Sequence, residues 1–322
     1  MNATSRQRKA FTLIELLVVI SIIALLIGIL LPALGAARKS ARASVCLGHL
    51  RGAGQGVATY ATDNKDFYPG PNTSGRRLND NTVDAGDSDG AGKPMQNFDW
   101  ISPTLGEALS APKDRLQRMA YLFNEEFRCP DNDRRYDGAF GGSIPGFDSS
   151  TLFSNSYSTI TSFHVYNTGE APPSQPDAIE YKNSRAVVNL QGTGKPFTMD
   201  YVGNASGKVF AIDGSRFVDA SGEITFNTFA RGIDGHNYGT YGPGNANFEG
   251  SPFFNNGALT DIGREFGFRH GGSTNTTFFD GHGESLPFKE SLDTDLYYPS
   301  GSIVTDAGST SDPDDSNGDV VQ

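Results

Sequence analysis

Residues 11–34, FTLIELLVVISIIALLIGILLPAL, form an almost uninterrupted apolar run that opens immediately after ten short, polar and basic residues. No other feature constrains the fold as much. At 1.5 Å rise per residue this stretch makes a helix of roughly 36 Å, enough for a hydrocarbon core of about 30 Å. Between Leu16 and Leu31 the only plainly polar residue is Ser21. Arg6, Arg8 and Lys9 precede the run, and the positive-inside bias then predicts a cytoplasmic N-terminus with the bulk of the chain outside.

Charge separates the chain into two parts. Residues 1–51 carry a net charge of +6 and the remainder −17, within an overall −11. An acidic body lacks the clustered Lys and Arg that displace counterions from phosphates, so nucleic-acid binding is not expected. Two cysteines, Cys46 and Cys129, are too few for a disulfide scaffold. An oxidising compartment would permit one bridge between them, but nothing in the sequence shows that they meet.

A secretory signal has a shorter apolar core and a small-residue cleavage site behind it. An uncleaved signal anchor would fit the length. Neither accounts for Glu15, a carboxylate near the start of the run, which costs on the order of 2.5–3.5 kcal/mol at a bilayer centre and less near the interface. The composite Ala10-Phe11-Thr12-Leu13-Ile14-Glu15 followed by an apolar helix resembles the leader of type IV pilins and type II secretion pseudopilins. The resemblance implies a prepilin peptidase cut between Ala10 and Phe11 and N-methylation of Phe11. It also implies a pairing of Glu15 with the terminal amine of a neighbouring subunit, which sets the register of assembly. Ala10 departs from the glycine usual before the cut. Pro32 stands where the family commonly bends its long helix; on physical grounds it could equally end a membrane helix at the surface.

Behind Pro32 a helical pattern resumes, with Leu47, Leu50, Gly54, Val57, Ala58 and Ala61 at three- and four-residue spacing. Asp63-Asn64-Lys65 and Tyr68-Pro69-Gly70 should stop it. Gly52, Gly54 and Gly56 read as small residues permitting close packing rather than as a nucleotide loop, since no strand precedes them. Residues 70–97 read as a surface loop, and a helix is predicted over 113–124. Strands are predicted over 158–166, 186–189, 197–202, 208–212 and 223–229, with turns at Asp213-Gly214 and Ser221-Gly222. Residues 235–257 read as an irregular insertion. The predicted fold class is α+β, a long N-terminal helix with a mostly antiparallel β-rich head. The predicted organisation is a leader over 1–10, a membrane helix over 11–34, its amphipathic continuation over 35–62, the head over 63–304 and a disordered acidic tail over 305–322.

A second resemblance lies near the C-terminus. His270, nine residues and then Asp280-Gly281 are similar to the H-x9-D-G box of pilin-like proteins with extended heads, and Phe127-Arg128-Cys129-Pro130-Asp131 and Ser156-Tyr157 agree with it. Asp280-Gly281 predicts a two-residue hairpin turn. His270, Asp280 and His282 could form a metal trio, but the turn already accounts for Asp280 and no close ligand pair of the zinc type is present. Asp84, Asp87 and Asp89, and Asp312, Asp314, Asp315 and Asp319 in the tail, are dense in oxygen ligands of the kind calcium takes, without the full EF-hand spacing. Solvated acidic loops and no cofactor are the expectation, with calcium as the alternative.

No Gly-x-Ser-x-Gly, Walker loop or His-Glu-x-x-His is present, so no enzyme is expected. The reading is of an assembly subunit, a single-pass cytoplasmic-membrane protein with an extracytoplasmic head. Its expected partners are the prepilin peptidase, other pilin or pseudopilin subunits and the inner-membrane assembly platform. The alternative is a membrane-tethered binding or hydrolytic protein that uses such a leader only as an anchor.

Overall fold

The computed structural model describes residues 13–69, 90–93, 100–133, 153, 156–160, 163, 179–180, 198–214, 254–255, 258–259, 268–304 and 314–322. The predicted cut at Ala10 and Phe11, the acidic group at Asp84, Asp87 and Asp89, Asp312, the strands over 186–189 and 223–229, the turn at Ser221-Gly222 and most of the insertion lie outside them. The chain forms two compact units, residues 1–42 and 43–322.

Helix α1, Leu13–Asp63, runs without interruption through Pro32. This excludes the alternative that proline ends the helix at the surface. The missing N–H of Pro32 leaves the carbonyl four residues back without its helical partner, a local loss that the turns on either side outweigh. In the first unit the large side chains from Leu13 to Leu34 are all exposed, with Leu13 at 79% and Leu25 at 66%. Burying each such side chain is worth about 1.5–3 kcal/mol. Sixteen of them on one helix therefore demand an apolar surrounding. Ser21, the polar exception, donates its hydroxyl to the Leu17 carbonyl at 2.8 Å, which satisfies it inside the helix.

In the second unit α1 buries Cys46, Leu50, Ala53, Gly54, Val57 and Ala61. The predicted stripe shifts slightly: Cys46 and Ala53 belong to the buried face, while Leu47 and Ala58 flank it half-buried. The helix stops where Lys65 and Asp66 take positive φ (57° and 65°) and the Asp66 N–H reaches the Ala61 carbonyl at 2.8 Å.

The head continues with α2 (Ile101–Leu105) and α3 (Arg115–Tyr121), which passes into a π-turn at Leu122–Glu126. Next come β1 (Tyr157–Thr159), β2 (Ile179–Glu180), α4 (Met199–Val202) and β3 (Val209–Asp213). The last elements are β4 (Phe254–Asn255), β5 (Ala258–Leu259), β6 (Ser273–Phe278), β7 (Gly283–Pro287) and β8 (Ile303–Val304). Four strands make an antiparallel sheet in the order β1-β3-β6-β7; β2 pairs with β8 and β4 with β5. The class is α+β, with an aromatic core in which Phe279 contacts Tyr68, Phe163 and Phe210 edge-on at 5.1, 4.9 and 5.2 Å.

Helix α1 lies against the β6–β7 hairpin. A Cβ on Gly54 would fall 2.1 Å from Thr277 Oγ1 and 3.0 Å from Gly281 Cα, so only glycine permits this approach. Arg51 Nε and Nη2 donate to the Gly283 carbonyl at 3.2 and 3.1 Å, and Asn275 Nδ2 donates to the Ala43 carbonyl at 3.2 Å.

Four expectations are corrected. The run predicted as a strand over 197–202 ends in helix α4, because the Met199 N–H is held by the Asp66 carbonyl and Gly203, at φ 86°, ends the turn. Asp213 is not a turn residue; it closes β3 and is fully buried. The hairpin at Asp280-Gly281 is a three-residue loop, with Gly281 N–H on the Phe278 carbonyl and Phe278 N–H on the His282 carbonyl. Only Gly281 has positive φ there, the pattern of a type I turn with a glycine bulge rather than a two-residue turn. The acidic tail is ordered over 314–322: Val320 bridges Ile303, Val321 exchanges backbone hydrogen bonds with Gly301 and Ser302, and its side chain is buried.

Candidate functional site

Three short sequence signatures converge on one buried cluster beside α1. Cys46 sits on the buried stripe of α1 and Cys129 follows the π-turn, both fully buried. They form a disulfide with a Cα–Cα distance of 5.2 Å across 83 residues. In the chain-entropy account a loop of that length contributes about 4–5 kcal/mol. The bridge that the sequence left open thus joins the helix to the head.

His270, just ahead of β6, contacts the bridge: its Nε2 lies 3.4 Å from Cys129 Sγ. Nε2 is also 3.3 Å from Asp213 Oδ2, at the end of β3, and Nδ1 is 3.3 Å from Asp131 Oδ2. Arg269 Nη2 stands 3.9 Å from Asp213 Oδ1 and donates to the Ser156 carbonyl at 2.6 Å. Ser156 Oγ accepts from the Cys129 N–H at 2.9 Å and from Asn132 Nδ2 at 3.0 Å. Asn275 N–H donates to Asp213 Oδ2 at 2.9 Å, which ties the cluster to β6. Tyr157 packs its ring on Phe127 at 4.8 Å, and its hydroxyl is 3.0 Å from His49 Nδ1 on α1.

Burial governs the protonation of these groups. It raises the Asp213 carboxyl above its usual range, an effect opposed by Arg269, His270 and Asn275. It lowers the His270 imidazole, against the pull of Asp213 and Asp131. It also raises Tyr157 well above a free phenol and lowers His49, which Glu126 partly offsets. Both shifts favour the uncharged forms of Asp213 and His270.

The trio His270, Asp280 and His282 does not assemble. His270 precedes β6 and Asp280 follows it, so a strand of six residues, roughly 20 Å at 3.3 Å per residue, stands between them. At the hairpin tip His282 Nδ1 meets Asp280 Oδ1 at 2.6 Å, exposed, with the imidazole stacked on Phe278 at 4.0 Å. Among the described residues the group with metal-ligand spacing is instead Cys46, Cys129 and His270, whose donor atoms lie within 4.8 Å of one another. Sequence reasoning gives no site role to Asp131, Asp213, Arg269 or Ser156. The usable signal for Asp213 is an acid directly following the apolar Val209–Ile212, where a charged residue must find a partner. In the tail, Asp315 accepts from Thr294 Oγ1 at 2.7 Å and Asp319 from the Ser316 N–H at 2.7 Å. Glu15 lies in the first turn of α1 as described.

The family description "Prokaryotic N-terminal methylation motif" matches residues 5–31. Over 62 residues the chain is 47% identical to the type IV wide pilus major component PilA4 of Thermus thermophilus. That match covers 19% of this chain and 47% of the relative, so the chain spans about half the length of the curated relative it matches. No solved structure matches. The chain is thus similar to a type IV pilin over part of its length, with a methylation-type N-terminus and one long apolar helix leading into an α+β head.

Proposed function

We propose that this chain is a non-enzymatic structural subunit that enters a type IV pilus-like or type II secretion filament through helix α1. The observation that carries the reading is the unburied apolar surface of Leu13–Leu34 directly behind a methylation-type leader. A helix whose whole girth is apolar and unburied is suited first to lipid and then to packing among identical helices. The prepilin peptidase cuts between Ala10 and Phe11 and methylates Phe11. Glu15 then sets the register between neighbouring subunits as the inner-membrane platform adds them. The Cys46–Cys129 bridge and the acidic body support an extracytoplasmic head, because structural disulfides persist in oxidising compartments.

Two measurements test this. Mass spectrometry of the mature protein should find N-methylated Phe11 as the first residue; any other terminus overturns the processing step. In cells, Glu15→Ala should abolish incorporation into filaments while the protein still accumulates in the membrane. Unimpaired incorporation would remove Glu15 from assembly. A wild-type chain never found in filaments would favour a tethered binding protein instead.

A further inference from the structure

The disulfide, the imidazole and the two carboxylates around it have a geometry that a covalent clamp alone does not require. His270 has a polar neighbour beside each ring nitrogen. Asp131 Oδ2 stands 3.3 Å from Nδ1, where a carboxylate can orient a metal-binding histidine, although Nδ1 makes no hydrogen bond here. Nε2 faces Cys129 Sγ at 3.4 Å and Asp213 Oδ2 at 3.3 Å. Around a tetrahedral zinc ion with bonds of about 2.0 Å to nitrogen or oxygen and 2.3 Å to sulfur, adjacent donors stand about 3.5 Å apart for nitrogen and sulfur and about 3.3 Å for nitrogen and oxygen. The observed separations match both. Asp213 Oδ1 is fully buried and makes no hydrogen bond.

We propose that, when the Cys46–Cys129 bond is reduced, Cys46 Sγ, Cys129 Sγ and His270 Nε2 bind one Zn2+, with Asp213 as the fourth donor. The bridge and the metal site are then alternative states of the same four side chains. A dithiol reductant supplies two electrons and two protons, opens the bond to two thiols and closes to its own disulfide. Zn2+ then displaces the two thiol protons, and any proton carried by Nε2 or Asp213, to solvent. The ligand set is two thiolates, an imidazole and a carboxylate, the soft and borderline donors that suit zinc over calcium or magnesium. The exposed Asp280–His282 pair takes no part.

The test uses the full chain in detergent, oxidised or reduced, desalted without oxygen and titrated with Co2+ and then Zn2+. The reduced protein should take up one Co2+ per chain with a thiolate charge-transfer band and tetrahedral d–d absorption, both lost on Zn2+ addition. The oxidised protein should show neither. His270→Gln should weaken binding at least tenfold with unchanged circular dichroism, Cys46→Ser should remove the tetrahedral signature, and His282→Ala should leave it intact. Reduced wild type binding no more metal than Cys46→Ser/Cys129→Ser overturns the site. So does uptake that His270→Gln leaves unaltered, since that would mean the thiols bind without the folded cluster. Neither outcome bears on N-terminal processing or filament entry.

Discussion

The two stretches of α1 are one continuous helix with opposite solutions to the problem of apolar surface. From Leu13 to Leu34 the helix is large and aliphatic on every face, and nothing among the described residues covers it. From Cys46 to Ala61 the buried positions are mostly small, Cys, Ala, Gly and Val with Leu50, and the head covers them to within a few per cent. Bulk suits a surface whose neighbours are lipid tails or other helices that can adjust. Small residues suit a surface that must meet a rigid hairpin at backbone distance, as Gly54 meets Gly281. Identical backbone geometry thus serves an adaptable contact at one end and a fixed contact at the other.

The largest expected effect of breaking this contrast comes from the bridge. Cys129→Ser should cost the head about 3–5 kcal/mol, read as a lower denaturant midpoint by intrinsic fluorescence, while the helicity of residues 13–42 in micelles is unchanged. A loss below about 1 kcal/mol would mean that packing alone fixes α1 to the head. Next is one substitution made in both halves. Gly54→Ala places a Cβ 2.1 Å from Thr277 Oγ1 and should destabilise the head by about 1–3 kcal/mol. Gly35→Ala meets nothing within 4 Å and should leave head stability unchanged while raising helicity, since alanine is favoured over glycine by about 1 kcal/mol in a helix. Equal effects at the two sites would dissolve the contrast.

The smallest effect concerns His49, on the head-facing half. Burial lowers its folded pKa below the usual 6.5, so the unfolded chain binds the proton more readily. Its contribution is full above pH 6.5 and is lost as pH falls from there through the lowered folded value. His49→Gln should therefore flatten the fall in melting temperature between about pH 7.5 and 5 relative to wild type. A steeper fall in the variant would reverse the assigned sign.

The cluster itself shows how far single residues can mislead. His270, Asp280 and His282 are close in sequence, and that proximity suggests a trio. A strand carries the chain away between them, so these sequence neighbours stand at opposite ends of β6. Conversely, Phe127–Asp131, Ser156-Tyr157 and His270 are separate signals in the sequence, and no spacing rule links them across the 141 residues from Cys129 to His270. Asp213 has the look of half a turn because Asp-Gly is a strong local signal. The Arg269 guanidinium, the His270 imidazole and the Asn275 N–H outweigh that preference by giving Asp213 partners inside the sheet. The acidic tail likewise reads as too polar to order. Its order comes from Val320 and Val321, which complete the edge at β8.

By itself the sequence determined whatever depends on local periodicity and composition. That covers the apolar helix, the stop near residue 63, the β6–β7 hairpin, the α+β class and the reason for the small residues of α1. These follow from hydrophobic spacing, charge and backbone preference, which act over a few residues. Only the tertiary structure decided that Cys46 meets Cys129, that His270 lies between Asp131 and Asp213, and that Val321 closes onto Gly301 and Ser302. The first of those contacts joins segments 83 residues apart. Their stability comes from shared burial, and burial is a property of the packed molecule that no local stretch encodes.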